Sequence, residues 1–456
     1  MEAVDGGWRR SGRFVFPRTH YSAMVDLFQN SLKILWSLKG IFFSQENTGE
    51  FRETSPSKMV PQSPHVLIIG AGITGLVLAQ GLRKHGIPFT IFERDPDPLH
   101  RGKGWGLTIH WSLDAFLQLL PEHLIDRLPE AYVDPEAVAK GENGNFLFFD
   151  LRTGETKWKV PPAKRLRVSR ERLRRLLMDG IDVKWNKCIS SITRVSGTAV
   201  RCQFTDNSTA EGTLLLPVRL LGASAALPSQ IALKMRALDP FFLQAGDPAT
   251  NNFFWFSFLD TPANNDRKDR DTYECQILIS WPYRKEWPKN IEMPTENVGR
   301  LQLMRSLADG WVEPFREVVQ SMPEGTEPKV ISLEDWPTPP KGSWSNLDGT
   351  ATLVGDAAHT MTMFRGEAGN HGILDVSNLV AALLPVLKTP PDTHGKTQKE
   401  VINEYEEEMI SRTRPAVLRS RKACLDAHDY SSITADSPLV ARRGTFEDDD
   451  LEHLLE

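Results

Sequence analysis

The sequence predicts an α/β fold: a doubly wound parallel-sheet domain, a mixed β-sheet domain between its two parts, and C-terminal helices. Three observations carry this. The stretch "HVLIIGAGITGLVLAQGLRKHGIPFTIFERD" reads as strand, glycine turn, helix and second strand, a βαβ unit. A middle region from about 230 to 334 holds "NNFFWFSFL" and "YECQILISW", strand-like runs among loops rich in Asn, Asp and Pro, as in a sheet presented to a ligand. A second glycine turn, "TLVGDAAHTMTMFRGEAGNHG" at 352–372, comes late in the chain and leads into a long apolar helix.

The chain of 456 residues suffices for two or three ordinary domains with a sizeable core. Hydrophobic residues at 40% and charged residues at 25% are ordinary globular values, and a net charge of -5 gives no reason to expect a polyanion, which disfavours nucleic acid. The expected organisation is an N-terminal extension outside the fold (1–58), a first part of the parallel-sheet domain (64–229), a β-sheet domain (230–334), the second part with C-terminal helices (335–430) and an acidic tail (431–456), whose end, "FEDDDLEHLLE", is expected to be solvated. Cys188, Cys202, Cys275 and Cys424 are far apart with no C-x-x-C spacing, which points to a reducing, cytoplasmic setting and no metal. The apolar stretch "AMVDLFQNSLKILWSLKGIFF" is interrupted by Asp26, Asn30, Lys33 and Lys39, so it supplies no membrane span, although an amphipathic surface contact is compatible with it.

After the βαβ unit, "GWGLTIHW" reads as a strand entering a helix near Ser112, and "NFLFFDLRTGETKWKV" as a hairpin turning at Arg152-Thr153-Gly154. In "VSRERLRRLLMDG", Leu173, Leu176 and Leu177 fall at helical spacing, with Ser169 or Arg170 at the start. The stretches "IDVKWNKCISSITRV" and "AVRCQFTDNSTAEGTLLL" read as short strands. "SWSNLDGTATLVGDAAH" reads as a strand running into the late turn; "ILDVSNLVAALLPVLK" and Lys399 to Cys424 read as helices.

Gly70, Gly72 and Gly75 form G-x-G-x-x-G directly behind a strand and at the head of a helix. Gly70 permits the tight turn, Gly72 lets a pyrophosphate approach the backbone, and Gly75 brings helix and strand together. Unpaired N–H groups at the helix start face the negative charge. Glu93 ends the next strand, at the spacing of an acid that accepts from a ribose hydroxyl. This unit by itself serves NAD or FAD. The late turn separates them: Asp356 is placed to accept from a polyol hydroxyl, and the run through Gly366, Gly369 and Asn370 opens a helix whose N–H groups suit the N1/C2=O edge of a flavin. NAD has no ribityl chain, so the pair of turns selects FAD. His359 is read as fixing the turn by hydrogen bonds rather than as a catalytic base.

"VLIIGAGITGLVLAQGLRKHGIPFTIFERD" and "LVGDAAHTMTMFRGEAGNHGILD" resemble the FAD-dependent aromatic-hydroxylase-like monooxygenases, over roughly 64–427, and "GWGLTIHW" and "YECQILISWPY" are most similar to fungal members that decorate secondary metabolites. The resemblance implies a Rossmann-like FAD domain, a β-sheet substrate domain, and NAD(P)H-driven insertion of one oxygen atom from O2 into a small molecule. It also implies that Arg170, in "AKRLRVSRERLRR", contacts FAD; a solvated helix face is the competing reading. Two departures stand out. The family's middle Gly-Ala-Asp-Gly signature is replaced by "EGTLLLPVRLLGASAALPSQIAL", with no aspartate, and in the late motif the usual proline is Met363 and Gly-x-Gly becomes Gly366-Glu367-Ala368. An FAD oxidase or dehydrogenase, or an impaired FAD-binding relative, is therefore the alternative reading; a halogenase lacks its Trp-x-Trp-x-Ile-Pro pattern here. Aromatic and methionine side chains at Phe253–Phe258 and Met361–Phe364 suit a pocket lining and core packing equally. The oligomeric state is not indicated.

Overall fold

A computed structural model describes residues 65–100, 104–160, 164–196, 199–204, 218–264, 271–282, 291–388, 395–444 and 451–455. The extension expected over 1–58 lies outside the described residues. The elements that position the site begin with β1 (Val66–Ile69), α1 (Ile73–Lys84), β2 (Phe89–Phe92), β3 (Gly106–Ile109), α2 (Leu113–Leu119), β4 (Phe146–Asp150), β5 (Thr156–Val160), β6 (Leu166–Ser169), α3 (Arg170–Leu177) and β7 (Val183–Lys184). The middle of the chain forms β8 (Ile189–Ser196), β9 (Ala199–Phe204), β10 (Val218–Pro228), α4 (Ser229–Arg236), β11 (Phe242–Gly246), β12 (Phe253–Asp260), β13 (Thr272–Pro282), α5 (Asn297–Leu307), α6 (Phe315–Gln320) and β14 (Lys329–Val330). It closes with α7 (Asp356–His359), α8 (Ala368–Lys388) and α9 (Gln398–Ala427).

Local chemistry sets the helix ends. α1 starts behind an extended Gly72 and finishes in Arg83 and Lys84, cations at the negative end of its dipole. Lys84 also donates to the last carbonyls of α2, Gln118 O at 2.7 Å and Leu120 O at 2.9 Å. Ser169 caps α3, and Thr397 with Glu400 forms a reciprocal capping box on α9.

β1, β2 and β7 form a parallel sheet in the order β1-β2-β7. Its core joins Leu76, Val77 and Leu82 of α1 to Ile91, Phe116, Leu173 and Leu177, and to Ile373, Val376 and Val380 of α8. β1 pairs only with β2 among the described residues, and Ile69 at its end is 42% exposed. The strand expected over "TATLV" is not formed: residues 351–354 have no ladder partner among the described residues, and a strand exists only through its ladder.

The second sheet runs β14-β10-β13-β12-β11-β4-β5, antiparallel except where β11 meets β4. It draws strands from 146–160, 218–282 and 329–330, so the boundary expected at 230 cuts through it. Local pattern marks 146–160 as a hairpin but does not say which sheet it joins; the pairing of Phe148 with Gln244 does. The stretch that replaces the middle signature is β10, paired with β13 over its whole length, Val218 opposite Pro282 to Pro228 opposite Thr272.

Alternation gives this sheet two faces. Leu221, Ala223, Phe254, Phe256, Phe258, Ile277 and Ile279 point to a core closed by Met235, Met304 and Phe315 of α4, α5 and α6. Leu220, Phe253 and Leu278 point the other way, against Phe364, Ala423 and Cys424. Core packing thus holds on both faces for the described side chains of Phe253, Phe254, Phe256 and Phe258. The first part of the tail is tied to the fold: Ile433, Leu439 and Val440 are buried against the same cluster, because these apolar side chains interrupt the polar run. The acidic run 445–450 lies outside the described residues.

Candidate functional site

At the first turn, Gly70 has φ +102° and donates to Phe92 O at 2.7 Å, tying the end of β1 to β2. A Cβ on Gly75 would lie 2.0 Å from Gly70 O, so only glycine lets α1 approach, whereas Gly70 and Gly72 face open space. Glu93 is 5% exposed and its carboxylate accepts from Ala71 N at 2.8 Å and Asp95 N at 3.1 Å. The acid therefore sits beside the turn. Sequence reasoning missed Arg174, whose Nε donates to Ala71 O at 2.8 Å and Nη1 to Pro98 O at 3.0 Å, with Nη2 3.9 Å from Glu93. Its signal is the i, i+4 spacing from Arg170, which puts both on one face of α3. Arg170 itself is half-buried, and its backbone N–H donates to Trp105 O at 3.1 Å.

The late turn is held from beneath. Gly355 takes φ +60° and sets an exposed Asp356 at the start of α7. Asp375, fully buried on α8, accepts from Gly355 N at 2.8 Å, His359 Nε2 at 2.6 Å and Arg412 Nη2 at 2.7 Å. His359 thus fixes the turn, through a carboxylate the sequence did not single out. Arg412 Nη1 donates to His371 Nδ1 at 2.9 Å. Burial, then the neighbouring Arg412, pushes His371 down to about 3, so it stays neutral and can accept.

Gly366 is left-handed at φ +65°, and Gly369 packs so that a Cβ would meet Leu107 at 3.0 Å. The Asn370 amide is spent inside the protein: Oδ1 accepts from His110 N and Ser112 Oγ, both at 2.9 Å, and Nδ2 donates to Thr108 O at 3.0 Å and Gly366 O at 3.4 Å. Its side chain braces the loop to β3, so what Asn370 can offer a cofactor is its backbone N–H, the group the sequence reading invoked. Glu367 accepts from Arg365 Nε at 2.6 Å, Gly444 N at 2.8 Å and Trp111 Nε1 at 3.1 Å. Although burial opposes it, Arg365 and Arg443 hold its carboxyl down at about 2.

Thr74 joins the two turns. Within the first motif, it packs so closely on the second that a Cβ on Gly355 would come 3.0 Å from its Oγ1 and one on Gly372 2.7 Å. Thr74 thus seats the first turn directly against the late one, with Glu93 buried beside the former and Asp356 exposed at the latter. Open space over Gly70, Gly72 and Gly366, with a carboxylate at each end, fits FAD. Beyond the late turn the sheet presents Phe253, Trp255, Ser257 and Gln276, with Phe253 and Phe364 rings 5.0 Å apart. His428 donates from Nδ1 to Cys424 O and accepts from Ser280 Oγ, and burial lowers it to about 4. A depression of about 600 Å³ bordered by Lys234, Glu313, Arg316 and Glu317 lies on the opposite, helix-covered face of this sheet and has no part in the site.

Among the described residues there is no group of His, Cys, Asp and Glu suited to a metal ion. Among the described residues one helix, α8, is long and apolar enough to cross a membrane, and Ile373, Val376 and Val380 pack one side of it into the core shared with α1.

Residues 68–112 match the model of an NAD(P)-binding Rossmann-like domain, and 323–420 that of an FAD binding domain. The chain is 78% identical over 422 positions to a "Probable FAD-dependent monooxygenase" of Arthroderma benhamiae, covering 86% of this chain and 98% of that protein. It is 35% identical to the FAD-dependent monooxygenase tazP of Aspergillus terreus, over 79% of this chain and 97% of the relative. Among solved structures, 2,6-dihydroxypyridine-3-hydroxylase of Arthrobacter nicotinovorans superposes with a TM-score of 0.61 at 16% identity, covering 86% of this chain and all of that one. HpxO of Klebsiella pneumoniae, complexed with FAD and uric acid, gives 0.58 at 17%, covering 81% and 90%. These likenesses show the fold.

Proposed function

Because the chain belongs to the FAD-dependent monooxygenases, we propose that it uses NAD(P)H to insert one oxygen atom of O2 into a small aromatic or polyketide-like substrate. FAD, when bound, supplies the redox chemistry. The contact of Thr74 with Gly355 and Gly372 supports the reading, because it brings the two glycine turns together in one site.

In this reading Gly70, Gly72 and Gly75 open the pyrophosphate cradle, with the first N–H groups of α1 facing it. Glu93 takes the ribose and Arg170 approaches from α3. Asp356 takes the polyol chain, while Gly366 and Gly369 bring backbone N–H groups to the ring end, on a loop held by Asn370. Phe253, Trp255 and Phe364 keep water from the reacting substrate, and His428, lowered by burial, stays neutral at physiological pH. We assign the protein to the cytoplasm from the wide spacing of its four cysteines.

The test is the visible spectrum of the purified chain, followed anaerobically with NADPH or NADH, then turnover under labelled O2. A bound flavin that bleaches, with one labelled oxygen in the product, is the expected result. Peroxide without oxygenated product means an oxidase. A bound flavin that neither nucleotide bleaches identifies an impaired relative, the consequence expected if the missing aspartate of β10 is required for reduction.

Asp356→Ala removes the polyol acceptor and is expected to raise the FAD dissociation constant roughly tenfold or more, read by fluorescence titration. An unchanged constant would remove Asp356 from the site. Glu93→Ala additionally strips Ala71 N and Asp95 N of their acceptor, so both FAD affinity and urea stability should fall, the latter by about 2–3 kcal/mol. Loss of stability with FAD affinity intact would make Glu93 a brace of the turn only.

A further inference from the structure

The loop from Gly366 to Asn370 is backed by more positive charge than negative. Arg365, 2% exposed, donates from Nε to Glu367 at 2.6 Å, from Nη1 to Pro438 O and from Nη2 to Arg442 O at 3.4 Å. Arg443 donates from Nε to Arg365 O at 2.9 Å, from Nη1 to Pro438 O at 3.2 Å and to Ala441 O, and from Nη2 to Leu439 O at 2.9 Å. Its acceptors are main-chain carbonyls, so its hydrogen bonds are met and its charge is not. The acid that acts on it is Glu367, and that carboxylate is already taken by Arg365, Gly444 N and Trp111 Nε1. Two guanidinium groups thus share one carboxylate.

The neighbouring titratable groups do not cancel the surplus. Burial pushes His110 and His371 down to about 4 and 3, so both are neutral at physiological pH. Arg165, which also acts on Arg443, is offset by Asp239. On the far side of His371, Arg412 is matched by the buried Asp375; its second acid, Glu408, is 43% exposed, and Asp356 is exposed as well, so water screens both. The surplus cation is held rigidly, with Arg443 also 4.4 Å from the Phe146 ring. Tying 438–444 to the loop needs only N–H donors, which a neutral amide supplies. An unbalanced cation in that place costs desolvation and asks for an electrostatic use.

We propose that the Arg365–Glu367–Arg443 cluster sets the reduction potential of bound FAD, its surplus positive charge favouring the reduced form. Reduction by NAD(P)H moves one hydride, two electrons with one proton, onto the flavin and releases NAD(P)+; the ring then carries one negative charge, centred on N1 and the C2 carbonyl oxygen. A fixed cation behind the loop stabilises that charged form relative to the neutral oxidised one. The effect is carried by the field, because Arg443 spends its hydrogen bonds inside the protein. This rests on the proposed function in placing the flavin ring at Gly366–Asn370.

The test is the midpoint potential of FAD on the full chain, measured by spectroscopic equilibration with a reference dye under xanthine and xanthine oxidase, with neither NAD(P)H nor substrate present. Arg443→Gln should make reduction roughly fivefold to tenfold less favourable, a downward shift of about 20–30 mV. Glu367→Gln, which removes the negative charge and keeps an acceptor oxygen, should move the potential upward by a similar amount. Arg443→Lys loses hydrogen bonds but not charge, so its potential should stay near that of the unmodified chain even where its urea midpoint falls. A clamp without an electrostatic role gives shifts that follow stability instead. Shifts of one sign in both neutral variants, or none, overturn the proposal, as does an Arg443→Lys shift equal to that of Arg443→Gln. If Arg443→Gln does not retain FAD, the sign of the Glu367→Gln shift decides; loss of FAD from both makes the cluster a brace of the loop and overturns the proposal. Opposite shifts in a chain that neither NADPH nor NADH reduces leave the charge assignment standing and overturn the monooxygenase reading; reduction and oxygenation with unmoved potentials do the reverse.

Discussion

Replacing Asp375 by alanine is expected to lower the unfolding free energy by about 3–5 kcal/mol and to abolish FAD retention. The carboxylate is fully buried and accepts from three donors at once, a backbone N–H, an imidazole and a guanidinium. Its removal leaves Arg412 with Glu408 as its remaining carboxylate, 43% exposed, and His359 with no partner for either ring nitrogen, since Nδ1 already has none. Gly355 N, at the residue whose left-handed backbone aims Asp356, is orphaned too. Unlike Asp356→Ala, which should weaken FAD binding in an otherwise normal protein, Asp375→Ala should fail in urea denaturation of the cofactor-free chain. Asp375→Asn keeps one acceptor oxygen but turns an amide N–H toward donors, and should fall between. A loss below about 1 kcal/mol for the alanine variant would mean that the late turn holds itself.

Much of this architecture is legible in the sequence because it depends on local rules. G-x-G-x-x-G behind an apolar run has few alternatives when Gly75 must approach Gly70 within 2.0 Å of a Cβ position, and Glu93 follows from strand length. Period-two alternation in 253–258 was equally visible, yet it could not say that Phe254 and Phe256 face helices while Phe253 and Trp255 face the late turn. Sheet membership of 146–160 and 218–228 is long-range pairing, which leaves no mark on the segment itself. The same is true of the residues that hold the site from behind. Asp375 lies mid-helix in an apolar run, and Arg174 looks like one more basic residue in "RERLRR" until it reaches Ala71 O. Arg167 lies within the basic stretch, where nothing local separates it from a solvated face, because burial is a property of the fold.

The histidines expose a second consequence of that burial. His110, His371 and His428 are lowered to about 4, 3 and 4, in each case chiefly by burial. In the unfolded chain each titrates near 6.5, so between roughly pH 6 and pH 4 the unfolded state binds up to three more protons than the native one. Stability must therefore fall with acid, and the slope approaches about 4 kcal/mol per pH unit where all three differ. Glu367, held at about 2, and Asp375, also lowered, add loss below the ordinary carboxylate range, where the unfolded chain protonates first. By pH 5 the histidines alone remove about 6 kcal/mol, which matches the lower end of the stability of about 5–15 kcal/mol typical of a domain. Urea midpoints at pH 7.5, 6.5 and 5.5, converted through a constant m-value, measure the slope directly. A slope equivalent to less than one proton would contradict the burial of these imidazoles. His428→Gln, which keeps a partner for Ser280 without a titrating group, should flatten the slope by about a third.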